Sequence, residues 1–131
     1  MFAYVFEARS IQSWILSGGR LADMVAASDL VEQLTGGVIG QVLANLNLME
    51  GKKIQIARRA GGAFYAVLDS EAHAHSLRNL MALVVPPFAP GLEFIHTISS
   101  GPTSQEALNN AMTALMAIRN QPPPSLPVAG P

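Results

Sequence analysis

The sequence predicts an α+β domain in which an antiparallel sheet of four strands carries helices. Three observations point there. Four short runs rich in aromatic and β-branched residues read as strands, the segments between them repeat apolar residues at helical spacing, and a glycine pair joins two of the strands.

Residues 2–7, Phe-Ala-Tyr-Val-Phe-Glu, open the order. Apolar side chains fall on both faces of this run, Phe2/Tyr4/Phe6 and Ala3/Val5, as in a strand covered on both sides. Ser10 to Ser17 predicts a short helix stopped by Gly18-Gly19. From Arg20 to Leu34, the residues Leu21, Met24, Val25, Ser28 and Val31 make one stripe, which predicts an amphipathic helix. Gly36-Gly37 is expected to interrupt it before a further helix over Val38 to Leu48. Ile54–Arg58 and Ala63–Leu68 read as a hairpin across Arg59-Ala60-Gly61-Gly62, because glycine adopts the positive φ of a tight turn without strain. Ser70 can cap a helix running toward Val84 and ended by Pro86-Pro87. Leu92 to Ser99 is the fourth strand. Thr103-x-x-Glu106 is a capping box before a last helix with Leu108, Ala111, Met112, Leu115 and Ile118 inward.

This order is that of a ferredoxin-like βαββαβ fold with an extra C-terminal helix. Two helices then lie on one face of the sheet, and the other face stays open unless something covers it. Residues 1–120 form the domain. Residues 121–131, rich in proline, read as a linker or tail.

The chain has 131 residues, half of them hydrophobic (50%) and only 13% charged, with a net charge of -1. That length suits one domain. The charge is too small for bulk electrostatic capture of nucleic acid or of an anionic membrane. The absence of cysteine excludes a disulfide framework, a thiolate metal site and a cysteine nucleophile. No apolar run predicts a membrane span, and the N-terminus lacks the basic start of a secretory signal, so a cytoplasmic location is expected. Soluble domains average about 25% charged residues. A domain so poor in charge exposes apolar surface, which predicts contact with another domain or another copy.

A two-metal polymerase or cyclase palm uses the same topology. It places one carboxylate on the first strand and a pair in the hairpin turn, because two divalent cations need several hard oxygen ligands close together. Here the positions after Gly61-Gly62 are Ala63 and Phe64, which cannot ligate a metal. Glu7 reads as a solitary, solvated strand end, and Asp69 is a whole strand away from the turn.

The segment Phe6-Glu7-Ala8-Arg9-Ser10-Ile11-Gln12-Ser13-Trp14-Ile15, then Arg20-Leu21 through Ala26-Ala27-Ser28-Asp29-Leu30-Val31, resembles the polymerase-like large subunit of type III CRISPR effector complexes. The hairpin Ala60-Gly61-Gly62-Ala63-Phe64-Tyr65 is similar to that of the family's first palm, and it lacks the acid pair of the second, catalytic palm. The resemblance implies a non-catalytic palm that holds ATP against a catalytic palm, the latter making cyclic oligoadenylate during antiviral defence. Mg²⁺ would come only through that partner palm. Other effector-complex subunits with guide RNA are implied as partners. A nuclease domain before Met1 is not expected, and a catalytic palm is expected beyond Pro131.

On the same resemblance Ser28 would hydrogen-bond an adenine edge, and Gly61 and Gly62 would let a phosphate approach backbone N–H groups. Gln12, after the first strand, and Arg20, after Gly18-Gly19, are further candidates for the anion. Each has a structural alternative. Ser28 would allow close helix–sheet packing and bond back to the carbonyl of Met24, the glycines would serve the turn alone, and Arg20 would be a solvated helix start. Arg58 and Arg59 lead into the hairpin, and at most one can face a ligand, since neighbours on a strand point to opposite faces. Trp14 reads as core and His96 as a hydrogen-bonded, partly buried residue. His73 and His75 are about 200° apart on a helix and cannot chelate one ion.

Two other functions stand as alternatives. One is a stand-alone nucleotidyl cyclase of the minimal CRISPR-polymerase kind, which Ala63 and Phe64 disfavour. The other is a ligand-free ferredoxin-like dimerisation module. A homodimer of the isolated chain is compatible with both and with the palm reading.

Overall fold

The computed structural model describes residues 1–121. The proline-rich segment 122–131 lies outside the described residues. The elements are β1 Phe2–Arg9, α1 Ile11–Leu16, α2 Leu21–Gln33, a π-helical turn Leu34–Val38, α3 Ile39–Asn45, β2 Ile54–Ala60, β3 Ala63–Leu68, α4 Glu71–Phe88, β4 Glu93–Ser100 and α5 Ser104–Arg119. The strands form one sheet in the order β2-β3-β1-β4, with every neighbouring pair antiparallel. This is the α+β, ferredoxin-like architecture the sequence predicts.

β1 is central, and its two-sided apolar pattern explains why. Tyr4 and Phe6, with Phe64, Ala66 and Leu68, pack against Leu34, Ile39, Val42, Leu77, Met81 and Val85 of the helical layer. Ala3 and Val5, with Val67, face the other way and meet Ala107, Ala111 and Leu115 of α5. α5 therefore covers the face that the βαββαβ core leaves open. Alanines on its inner side let its backbone lie close to the strands. Its cap is as expected: Thr103 Oγ1 accepts from the Glu106 N–H at 3.1 Å. Ser70 caps α4 likewise, accepting from the His73 N–H at 3.2 Å.

Three expectations need correction. Gly36-Gly37 does not break the helix; α2 runs through the π turn into α3 without leaving helical backbone. Arg59 explains part of this, since its Nε donates to the Thr35 carbonyl at 2.7 Å and its Nη2 to the Gly36 carbonyl at 2.6 Å. A side-chain donor in the carbonyl ladder is a known cause of such irregular turns. Pro86-Pro87 does not end α4, which continues to Phe88. Both prolines sit in the last turns, and the N–H groups they lack would have met carbonyls on the exposed side.

The third correction concerns α2. Its stripe Leu21, Met24, Val25, Ser28 and Val31 is not inward: Leu21 is 77% exposed, Val25 61% exposed, and only Val31 is buried. The N-terminal turns of α2 pack on the short α1 instead of the sheet, so half of an amphipathic face has no cover.

His96, on β4, is partly buried among Tyr4, Phe6 and Phe94, and its Nδ1 lies 2.8 Å from the Tyr4 hydroxyl. Burial, and then the Arg78 charge, lower its pKa from 6.5, while burial raises that of Tyr4. Tyr4 is thus the donor and a neutral His96 the acceptor. Below pH 6.5 the unfolded chain takes up a proton on this histidine that the folded chain resists, so stability falls as pH drops through that window. Urea midpoints of the wild-type chain should fall between pH 7.5 and pH 5. In His96→Gln, which keeps an acceptor for Tyr4, the decline should be flatter, and an equal decline would remove His96 as its source.

Candidate functional site at the hairpin end of the sheet

The β2–β3 turn is tighter than the four residues expected. β2 pairs with β3 as far as Ala60↔Ala63, which leaves Gly61 and Gly62 as the whole turn, with φ of 61° and 81°. Two successive positive φ values are the requirement of a type I′ turn, and glycine meets it at least cost. The two glycines differ in surroundings. Gly61 is exposed, with nothing within 4 Å of a Cβ placed on it. Gly62 is buried, and a Cβ there would meet Ile11 Cδ1 at 3.0 Å, Ala8 Cβ at 3.2 Å and Val31 Cγ1 at 3.6 Å.

Those three contacts locate the site. Ala8 is near the end of β1, Ile11 begins α1 and Val31 lies in the last turn of α2, so all three elements converge on the turn. The Ala8 N–H also donates to the Gly62 carbonyl at 2.9 Å. Ser10 makes the bend from β1 into α1 with a left-handed φ of 52°. Gln12 follows Ile11 and is exposed; Ser28, one helical turn before Val31, is exposed as well. Gln12 thus adjoins a residue that meets the turn, and Ser28 is three positions from another, although neither touches Gly62 itself. Arg20 is further away: it is the exposed N-cap residue of α2, about 12 Å along the helix from Ser28.

Ser28 is exposed and does not serve helix–sheet packing. It lines a shallow concavity of about 350 Å³ with Met24, Val25, Asp29 and Glu32. A larger concavity, about 440 Å³, lies between the π turn, α3 and α4, on a floor of Val38, Val42, Leu80, Val84 and Phe88. None of the candidate residues lines it. Trp14 is half-buried at the rim of the core and donates its Nε1–H to the Pro90 carbonyl at 3.0 Å.

Of the two arginines leading into the hairpin, Arg59 commits its Nε and Nη2 to the π turn. Arg58 faces the other side, its guanidinium 5.9 Å from the Tyr65 ring centre.

Glu7 is not a solitary strand end. The Tyr65 hydroxyl donates to its Oε2 at 2.9 Å, and the Arg119 guanidinium pairs with its Oε1. Arg9 in turn donates to the Arg119 carbonyl at 3.2 Å. Burial, followed by the neighbouring Glu7 carboxylate, raises the Tyr65 pKa, so the phenol remains a donor. This cluster ties the end of α5 to the sheet on the face opposite α2. Sequence reading missed it because Arg119 is 112 positions from Glu7. The only local signal was a charged residue at the end of each element.

Comparison with protein-family models and with curated proteins returns no match. Among the described residues no helix is long and apolar enough to cross a membrane.

Proposed function

We propose that the chain is a nucleotide-holding, non-catalytic palm, the counterpart of the first palm in a type III CRISPR large subunit. The observation that supports this reading is the convergence of β1, α1 and α2 on the Gly61–Gly62 turn, through Ala8, Ile11 and Val31, on the elements that also carry Gln12 and Ser28. ATP would lie over that end. Gly61, with no side chain and open space above it, admits a phosphate to the turn. Ser28 offers a hydroxyl that both donates and accepts, which suits the mixed edge of adenine.

Two further features support a holding role in preference to a transforming one. The hairpin supplies Ala63 and Phe64 where a cyclase needs acids, and both oxygens of Glu7 are already engaged by Tyr65 and Arg119. The bare apolar side of α2, beside Ser28, supports a second palm closing the pocket, downstream or in trans. Mg²⁺ would enter with that partner, as would the remaining subunits and guide RNA, in the cytoplasm.

The test is photolabelling with 8-azido-ATP, which registers weak sites. Adducts should map to α2 or to the peptide around Gly61 and be suppressed by excess ATP. Ser28→Ala should lower the yield by about 2- to 10-fold, the worth of one hydrogen bond. Labelling that excess ATP leaves unchanged, or that maps to the groove between α3 and α4, would refute the assignment.

A further inference from the structure

The two edges of the sheet are treated differently by the sequence. The outer strand β2 is blunted: it has a bulge between Ile56 and Arg58, follows Lys52-Lys53, and carries Arg58 and Arg59. Bulges and cationic side chains are the common devices against edge-to-edge pairing. The opposite outer strand, β4, has none of them. All eight of its residues pair with β1 in unbroken register, from Phe2↔Ser100 to Arg9↔Glu93. It holds no lysine, arginine or proline, and its one formal charge, Glu93, is at its beginning. On its outer side, the described residues supply only the Asn110 amide, which donates to the Ser100 carbonyl at 2.9 Å.

We infer that β4 is an interaction edge whose partner is the β4 of a second copy, joined antiparallel about a two-fold axis through His96. Side-chain complementarity selects both occupant and register. In an antiparallel pair, residues directly opposite share a face, so the continued sheet keeps its helical side only when paired residues have the same parity. The register centred on His96 sets Phe94 against the partner's Ile98 on the helical side, and Ile95 against the partner's Thr97 on the α5 side. Both are favourable cross-strand pairs. It sets Glu93 against the partner's Ser99, which keeps the two carboxylates apart. The His96 rings meet on the axis with Nδ1 already held by Tyr4. The result is one eight-stranded sheet, its helical layers continuous and its hairpin ends outermost. This inference stands apart from the nucleotide reading, because neither Ser28 nor the Gly61–Gly62 turn is on β4.

The chain lacks cysteine, so a disulfide can report the register directly. Sedimentation of the 131-residue chain at concentrations up to about 200 μM should give a dimer, since association follows mass action. Thr97→Lys, which puts an ammonium against the partner's Ile95, should return it to monomer with an unchanged circular-dichroism spectrum. As a second measurement, Ile95→Cys and Thr97→Cys proteins are oxidised separately and mixed. Cross-linking on mixing should exceed that of either protein alone by about tenfold, because only the mixture brings the two thiols within disulfide distance. A wild-type monomer, a Thr97→Lys dimer, or equal cross-linking in all three samples would each overturn the inference. Unaltered 8-azido-ATP labelling in Thr97→Lys would separate that failure from any failure of the nucleotide site.

Discussion

Phe6→Ala should remove about 3–5 kcal/mol of unfolding free energy, the usual cost of deleting a buried aromatic ring. Phe6 is fully buried at the middle of the central strand. Its ring stacks on Phe94 at 5.2 Å and lies edge-on to His96 at 6.3 Å, so its loss unsupports β4 as well as the helical layer. Domains have about 5–15 kcal/mol in total, which makes this loss a large share. Urea titration reads it as a lower midpoint with unchanged slope. Phe6→Leu, which keeps most of the volume, should cost under about 1.5 kcal/mol. A Phe6→Ala loss as small as the leucine one would mean that the aromatic cluster is not a support of the sheet.

Gly101→Val acts through a different cause. A Cβ at Gly101 would fall 2.6 Å from the Ala107 nitrogen and 2.9 Å from the Glu106 carbonyl carbon. Both are backbone atoms in the first turn of α5, so no rotamer change relieves the overlap. The helix itself must move. That displaces Ala107, Ala111 and Leu115 from the sheet, together with the Gly101 N–H bond to the Met1 carbonyl. The expected cost is about 3 kcal/mol, the upper range for overpacking. Amide exchange should show it selectively, with α5 protection falling more than that of α4. Equal loss across both helices would show that α5 has no separate hold on the sheet.

The contrast between these positions matches what was readable from the chain. The hairpin was legible because its cause is local, a glycine pair between two apolar runs, although β2 runs two residues further than read and carries a bulge at Ile56/Arg58. Both helix caps were legible for the same reason, as was the double-sided burial of β1. The cover supplied by α5 was not, since periodicity gives a helix its inner side without naming its neighbour. The course of α2 failed in a related way. Its stripe is genuine, but the turns that carry Leu21 and Val25 extend past the sheet and have only α1 beneath them. At the site, Gln12, Ser28, Gly61, Gly62 and Arg20 came from the resemblance, and the distance of Arg20 from Ser28 followed only from the length of α2. The engagements of Arg59 and Arg119 join residues 24 and 112 positions apart and have no short-range signature.

The place of β1 has a consequence for how the chain is made. It precedes both of its neighbours in the chain: one of its flanks is filled by residues 63–68 and the other only by residues 93–100. Until β4 has been made, a run of Phe, Tyr and Val waits with one side bare, a state prone to capture by neighbouring nascent chains. The hairpin and α4 can be assembled first, but closure of the sheet waits for β4. Slower elongation after residue 100 would therefore lengthen exposure of the bare apolar surface that α5 later shields, and a chaperone holding nascent β1 would relieve it.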